Sequence, residues 1–140
     1  MIDTLAQTLL DDSSLSMATL MKKIEDPNDI EDPHVVKVVV DKNNFALYFS
    51  RAPIPHKAHN CEVKSPAYYK HIGLYGYTKD FLFMYKNLPV SQLEMIEQLE
   101  QLRVLEAGFR IKVIETKYDT IGVDKPQDID KVIEYLKKQR

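Results

Sequence analysis

Residues 35–50 read VVKVVVDKNNFALYFS, and this stretch is the clearest structural signal in the chain. Two runs rich in β-branched and aromatic residues, VVKVVV at 35–40 and FALYFS at 45–50, flank the polar tetrapeptide DKNN. Runs of this composition favour strands, and a short polar linker between two of them is typical of a hairpin. The stretch therefore predicts a two-stranded antiparallel hairpin. Because its apolar residues occupy both faces, we also expect the hairpin to take part in self-association.

On both sides of the hairpin, the hydrophobic pattern alternates between helical and extended spacing. Predicted helices cover residues 2–10, 78–88, 91–108 and a C-terminal stretch that begins near residue 124. Predicted strands cover residues 17–24, 69–77 and 110–115, and proline-containing loops cover residues 25–33 and 51–66. The pattern predicts a single mixed α/β domain over residues 1–140.

Two local motifs sharpen this prediction. Ser91 and Glu94 have the spacing of a capping box, which opens a helix, and Gly108 is the type of residue that ends one. Gly73 and Gly76 interrupt the strand predicted at 69–77. Glycine inside a strand often marks a close approach to the backbone, so we expect another element to lie against these positions.

Composition and charge exclude several classes of protein. The formal net charge is −2 and 29% of residues are charged, with no block of like charges that would suit nucleic acid. No apolar run approaches the ~20 residues that a membrane-spanning helix needs, and the N-terminus does not resemble a signal peptide. The single cysteine, Cys61, excludes an intrachain disulfide. We therefore expect a cytoplasmic protein that binds neither nucleic acid nor membrane.

Polar residues concentrate in four segments next to predicted strand or helix ends: FSRAPIP at 49–55, YYKHIGLYGY at 68–77, LEMIEQLEQLRVLEAG at 93–108 and IGVDKPQDI at 121–129. Each has an ordinary structural explanation. Arg51 could be a solvated charge, and His71 a core histidine. Glu100 and Gln101 could lie on the solvated side of a helix, and Asp124 could be a helix N-cap.

Two further patterns bear on chemistry. His71 and Tyr75 are four residues apart on a predicted strand, so they should share one face. His56, His59 and Cys61 lie close together in the chain, but their spacing fits no standard zinc pattern and no second pair accompanies them. No strand, glycine-rich loop and helix follow one another anywhere, so the chain has no phosphate cradle of its own.

Taken in this order and at this spacing, the four segments resemble the Kdo cytidylyltransferase family, the CMP-Kdo synthetases, where Kdo is the eight-carbon sugar acid 3-deoxy-manno-octulosonate. The resemblance implies an α/β nucleotidyltransferase fold with a mixed sheet and an inserted β-hairpin region used for dimerisation. It implies transfer of CMP from CTP to Kdo, giving CMP-Kdo and pyrophosphate, for lipopolysaccharide biosynthesis. It also implies Mg²⁺ as cofactor and a homodimer.

The resemblance assigns roles to residues at matching positions. It places Arg51 against the carboxylate of the sugar acid, a group that suits an arginine fork. His71 and Tyr75 become contacts to sugar hydroxyls and carboxylate, and Glu100 and Gln101 become hydroxyl ligands, with Glu97 a weaker candidate. Asp124, in the Gly-Val-Asp-x-Pro motif, becomes a magnesium ligand. Where the family often has a further arginine after the Ile-Pro, Lys57 is the only cation nearby.

The chain departs from the family in one large respect. It contains neither the basic, glycine-containing loop that holds the CTP phosphates nor the Gln-Gly-Asp-Glu-Pro stretch that supplies a second metal-binding aspartate. We therefore expect the C-terminal sugar-binding and dimerisation part of the enzyme, incomplete alone: either a truncated or split gene product, or a chain whose nucleotide-binding half lies on another chain. Two alternatives stay open: a non-catalytic remnant that acts as an interaction module, and activation of another sugar acid such as a sialic acid.

Overall fold

The structure, a computed structural model, describes residues 1–60, 62–63, 66–120 and 128–138. The helices and strands follow one another largely in the order that the sequence predicts. In chain order they are α1 (Ile2–Asp11), β1 (Met17–Lys23), α2 (Asn28–Glu31), β2 (Lys37–Val40), β3 (Ala46–Ser50), β4 (Tyr69–Tyr77), α3 (Lys79–Tyr85), α4 (Gln92–Glu97), α5 (Gln101–Glu106), β5 (Lys112–Glu115) and α6 (Asp128–Lys138). Within the described ranges, no helix is long and apolar enough to cross a bilayer.

The strands form one five-stranded mixed sheet in the order β3-β2-β4-β1-β5. Strands β1 and β4 pair antiparallel with one bulge, and β1 pairs parallel with β5. Strands β2 and β3 form the predicted antiparallel hairpin, which joins β4 through a single ladder pair, Lys37 with Lys70. The prediction of a mixed α/β fold is confirmed.

The hairpin turn is stabilised by Asp41. Its Oδ1 accepts hydrogen bonds from the backbone N–H groups of Asn43 and Phe45, at 2.8 and 2.9 Å. These bonds, the one from Phe45 above all, lower the pKa of the Asp41 carboxyl. Asn44 has φ 59°, a left-handed conformation that asparagine tolerates better than most residues. The polar linker therefore forms the turn through side-chain hydrogen bonds to its own backbone.

The hairpin is fixed to the sheet at both ends. At its base, His71 donates its backbone N–H to the Val36 carbonyl at 2.8 Å. At its turn, the Ala46 N–H donates to Ile111 at 2.9 Å, and the Val113 N–H donates to Asn44 at 2.8 Å. Its inner face is buried in the core, whereas Leu47 on its outer face is 61% exposed. One hairpin face is thus used inside the chain, and the role of the other in self-association stays a prediction.

Hydrophobic residues collect on both faces of the central strands. The larger cluster contains Met17, Met21, Phe49 and the apolar side chains of α5 and β5. The smaller one packs Leu5 of α1 against Ala18, Leu20 and Ile72. This arrangement follows from the period-two alternation of β1 and β4, which sends odd-numbered residues to the larger cluster and even-numbered residues to the smaller.

The two glycines of β4 differ in their surroundings. A Cβ on Gly76 would lie 2.9 Å from Leu9 Cδ1 and 3.6 Å from Leu5 Cβ, so α1 does pack closely on this backbone. The close approach expected at Gly76 is confirmed. At Gly73 the expectation is wrong, because no described atom lies within 4 Å of the corresponding position.

The helix predicted over residues 91–108 is two helices, α4 and α5. The capping box is present, with Ser91 accepting from the Glu94 N–H and Glu94 accepting from the Ser91 N–H. The break falls at Gln98, whose φ is 55°, and it turns the chain so that Leu99, Gln101 and Leu102 are all buried. No glycine or proline signals this break, because tertiary contacts impose it. The one-turn helix α2 lies inside the loop predicted at 25–33.

Candidate functional site

A row of aromatic rings runs along one face of β4. The His71 and Tyr75 ring centroids are 5.3 Å apart, so the two side chains share a face as the strand period requires. Neighbouring rings extend the series on both sides at centroid distances of 5.0 to 6.3 Å. We call this group the aromatic row; its members are Phe49, His71, Tyr75, Tyr77, Phe81 and Tyr85.

A bulge in β4 sets the spacing of the row. Thr19 pairs with Tyr75, and the next residue, Leu20, pairs with Ile72. Two residues of β4 therefore have no pairing partner on β1. The buried Thr19 hydroxyl lies 2.9 Å from the Leu74 carbonyl oxygen and 3.3 Å from that of Ile72. The hydroxyl can therefore donate to the Leu74 carbonyl, the nearer of the two, beside the bulge.

His71 is neutral in this environment. Burial lowers the pKa of its imidazole to about 4. Its Nε2 lies 2.9 Å from Thr19 Oγ1. The single hydroxyl proton of Thr19 has the Leu74 carbonyl as an acceptor, so the hydroxyl oxygen can accept from Nε2–H of His71. This tautomer leaves Nδ1 of His71 as a hydrogen-bond acceptor.

The tyrosines of the row stay protonated. Burial raises the pKa of Tyr75 well above its usual range, with smaller contributions from Tyr77, Tyr85 and the Glu100 carboxylate. Burial likewise raises the pKa of Tyr77 to about 12, and Glu100 again contributes. Glu100 itself is exposed. Its carboxylate also contributes to the raised pKa of Tyr85, for which burial is the main cause.

Gln101 is the next residue but has the opposite exposure. Its residue is only 5% exposed, and its Nε2 is buried without a hydrogen-bond partner among the described residues. Most buried side-chain donors in proteins are satisfied by protein or water. The Gln101 amide, next to Glu100 in the chain, therefore has a free donor that could bind an oxygen atom of a ligand.

Arg51 follows β3, and its guanidinium contacts backbone carbonyls. Its Nε donates to the Glu97 carbonyl at 2.9 Å, and its two terminal nitrogens donate to Pro33 at 3.0 Å and Gln98 at 3.4 Å. The structure therefore joins Arg51 to the bend between α4 and α5.

Two charged residues hold the Arg51 backbone, and sequence reasoning missed the role of both. Glu97 Oε2 accepts the Arg51 N–H at 3.0 Å, and Oε1 accepts the Ser50 hydroxyl at 2.7 Å. The fully buried Lys37 donates to the Arg51 carbonyl at 2.6 Å. We call Lys37, Ser50, Arg51 and Glu97 the Arg51 clasp. The signal for Lys37 was available, because a lone lysine interrupts the valine run at 35–40.

Lys37 has no carboxylate within hydrogen-bond distance among the described residues. Its ammonium donates to the carbonyls of Asp32 and Val35 as well, at 2.8 and 2.6 Å, so three backbone carbonyls share it. Burial lowers its pKa, against the opposing effects of Asp32 and Glu31. The ammonium acts as a three-way connector between the loop before β2 and the residue that follows β3.

Asp124 and Cys61 lie outside the described residues. Before that gap, Asp119 links two strands of the sheet, with its carboxylate oxygens 2.9 Å from Lys22 Nζ and 2.8 Å from Lys70 Nζ. No group of three or more metal-ligating side chains occurs in the described part of the chain. The magnesium role of Asp124 stays a prediction.

The site thus combines aromatic faces, neutral imidazole and phenol groups, an exposed carboxylate and a buried amide. Ring faces pack against the C–H surfaces of sugars, while carboxylate and amide groups bind their hydroxyls. The arrangement suits a polyhydroxylated ligand. These groups can hold and orient such a ligand through hydrogen bonds and ring contacts.

Comparison with known proteins places this geometry in a family. The sequence model of the family described as Cytidylyltransferase matches residues 1–115. The chain is 49% identical to the 3-deoxy-manno-octulosonate cytidylyltransferase of Geotalea uraniireducens, covering 99% of this chain and 58% of the relative. It is 46% identical to the protein of the same name from Fusobacterium nucleatum, covering 99% of this chain and 55% of the relative.

A solved structure extends the likeness to the fold. The structure of CMP:2-keto-3-deoxy-manno-octonic acid synthetase complexed with CTP superposes with a TM-score of 0.89 at 39% identity, covering 99% of this chain and 56% of that one. The chain therefore spans just over half the length of the relatives it matches. The family match over most of the sequence and the shared fold show that this chain belongs to the cytidylyltransferase family.

Proposed function

We propose that the chain supplies the sugar-acid side of a cytidylyltransferase that transfers CMP from CTP to Kdo, releasing pyrophosphate. The names of its relatives and of the similar structure point to this substrate pair. In such a reaction the sugar hydroxyl attacks the α-phosphorus of CTP. The protein contributes by holding the two substrates in line and neutralising charge on the phosphates.

The observation that carries this proposal is the buried Gln101 amide. Its Nε2 has no partner among the described residues, and Glu100 next to it reaches the aromatic row with its charge. A sugar hydroxyl that accepts from Gln101 would satisfy the orphaned donor, and Glu100 would accept from another hydroxyl. His71 and Tyr75, neutral and side by side, would complete the contacts as uncharged hydrogen-bonding groups.

Arg51 is proposed to bind the carboxylate of the sugar acid, and Asp124 to bind Mg²⁺. Its guanidinium already donates to three backbone carbonyls, so a substrate carboxylate would share or replace some of those bonds. Asp124 would hold Mg²⁺, which commonly binds one or two carboxylates together with phosphates and water. The ion would neutralise charge on the phosphate groups when bound.

A separate nucleotide-binding half would complete the enzyme, and β4 offers the place for it. One edge of β4 pairs with β1, and the opposite edge is largely unpaired. In the described part of the chain, that second edge makes only the Lys37–Lys70 ladder pair and the hydrogen bond from the His71 N–H to Val36. A largely unpaired strand in the middle of a sheet normally has a partner. A cleft of about 220 Å³ between α1 and β4, lined by Leu5, Leu9 and Leu74, lies beside this strand.

The exposed face of the hairpin is the surface that we propose for a homodimer. Leu47 is 61% exposed on β3, the outermost strand of the sheet. A second copy that covers this side chain would remove its apolar surface from water. The location that we propose is the cytoplasm, where CTP is available for lipopolysaccharide precursors.

The test is pyrophosphate release from CTP and Kdo in the presence of Mg²⁺. The chain alone should neither turn over CTP nor bind it tightly, whereas addition of the nucleotide-binding half of a relative should restore release. A sialic acid in place of Kdo serves as the control for sugar specificity. Release with sialic acid but not with Kdo would change the substrate, and no release in either mixture would favour the non-catalytic alternative.

A further inference from the structure

Glu97 connects Arg51 with the segment that carries Glu100 and Gln101. It ends α4, directly before the left-handed residue Gln98 and three residues before Glu100. Its carboxylate and its carbonyl both bind the residue that follows β3. Oε2 accepts the Arg51 backbone N–H at 3.0 Å, and the Glu97 carbonyl accepts Arg51 Nε at 2.9 Å.

The other carboxylate oxygen extends the same connection. Oε1 accepts the Ser50 hydroxyl at 2.7 Å and lies 3.4 Å from the Tyr48 hydroxyl. Its Ser50 partner is itself 2% exposed, and the Ser50 oxygen accepts the N–H of Ala52 at 3.0 Å. Four described donors thus converge on one glutamate, three on its carboxylate and one on its carbonyl.

These contacts determine where the bend lies. Residues in the left-handed region carry a conformational cost, so Gln98 holds this geometry only where its surroundings over-determine it. Arg51 donates to the carbonyls of Glu97 and Gln98, which lie on either side of the Gln98 Cα, and Glu97 in turn fixes Arg51. The bend at Gln98 is what buries Gln101 while leaving Glu100 exposed.

We propose that Glu97 is a positioning residue for the sugar-acid site: it fixes Arg51 and, through the bend at Gln98, the placement of Glu100 and Gln101. This inference rests on the proposed function for the identity of the ligand. In this role Glu97 acts through Arg51 and the bend, and both of its carboxylate oxygens already accept from described donors of the chain.

The test compares Glu97→Gln with Glu106→Gln in the 140-residue chain. Glu106 is a matched control, since its Oε2 also accepts a backbone N–H, that of Leu93 at 2.7 Å, but it binds neither Arg51 nor the bend. Two properties are measured at a temperature where amide spectra show both variants folded. One is the dissociation constant for Kdo by calorimetry, and the other is the pair of ligand-free ¹⁵N resonances from Arg51 Nε–H and the Gln101 side-chain amide.

Glu97→Gln should weaken Kdo binding about tenfold, as the loss of one charge-assisted hydrogen bond would. It should also shift both resonances, while Glu106→Gln changes neither property. Unshifted resonances, or an unchanged affinity in a folded Glu97→Gln variant, would overturn the positioning role. If the unmodified chain does not bind Kdo, the proposed function fails by itself, and the two ligand-free resonances alone then decide whether Glu97 orders Arg51 and Gln101.

Discussion

The Arg51 clasp and Gln101 lie on opposite sides of one bend, and they use buried polar groups in opposite ways. In the clasp, the Lys37 ammonium has three carbonyl acceptors and the Glu97 carboxylate has donors at both oxygens. Past the bend, the Gln101 amide donor is buried with no described partner. The comparison indicates which polar groups build the fold and which are left for a ligand.

The difference has a thermodynamic meaning. A buried polar group whose hydrogen bonds are all made contributes modestly to stability, but it becomes costly when one partner is removed. A buried donor without a partner already carries its desolvation cost in the free protein. Removing it should cost nothing in stability and should affect only ligand binding. Substitutions in the Arg51 clasp should therefore lower stability, whereas loss of the Gln101 amide should not.

The largest effect is expected from Lys37→Met. Methionine fills a similar volume but leaves the carbonyls of Val35 and Arg51 without a described donor, while the Asp32 carbonyl keeps the Val35 N–H at 3.1 Å. The free energy of unfolding should therefore fall by about 3–4 kcal/mol. Lys112→Met is the matched control, because Lys112 also donates to a backbone carbonyl, that of Asn43 at 2.7 Å, but from an exposed position. Urea unfolding of both variants measures the difference. Equal losses in the two variants would mean that the buried bonds of Lys37 stabilise the fold no more than the single bond of Lys112 does.

An effect of intermediate size is expected from pH, through His71. Its pKa is about 4 in the folded chain and about 6.5 when unfolded, so the unfolded state binds the proton more readily between these values. The contribution to stability is complete above pH 6.5 and is lost as the pH falls towards 4, by about 2–3 kcal/mol in all.

Urea unfolding at pH 7 and at pH 4.5 measures this loss, with His71→Asn as the comparison. The asparagine variant should lose most of the dependence in this window, because it cannot bind the proton. Glu and Asp residues contribute their own dependence below pH 5, so the difference between the two proteins is the informative quantity. Parallel pH profiles would show that His71 is solvated and available for protonation.

Local chemistry predicted the parts of the molecule that depend on neighbours in sequence. The hairpin, the capping box at Ser91 and the shared face of His71 and Tyr75 all follow from spacing alone. The bend at Gln98 does not, because its causes lie 47 residues away at Arg51. Lys37 is similar, since its acceptors include a carbonyl 14 residues further along the chain.

The candidate site shows the same division. His71, Tyr75, Glu100 and Gln101 were singled out through resemblance, and without it each had an ordinary structural explanation. The structure adds that Gln101 is buried and Glu100 exposed, which a continuous helix over residues 91–108 would not predict. It also shows Arg51 bound to carbonyls of the chain itself, a contact that no local pattern reveals.

The smallest change in stability, and the sharpest test of the comparison, is expected from Gln101→Leu. Leucine removes the orphaned donor and keeps an apolar side chain in a buried position, so the free energy of unfolding should stay the same or rise by up to about 1 kcal/mol. Kdo binding should nevertheless weaken about tenfold, since a hydrogen bond to the sugar is lost.

Gln92→Leu, at an exposed position in α4, is the control and should change neither quantity. Stability is read from urea unfolding and affinity from calorimetry on the same preparations. A loss of 2 kcal/mol or about that in Gln101→Leu would place its amide among the satisfied groups. The two sides of the bend would then no longer differ in how they use buried polarity.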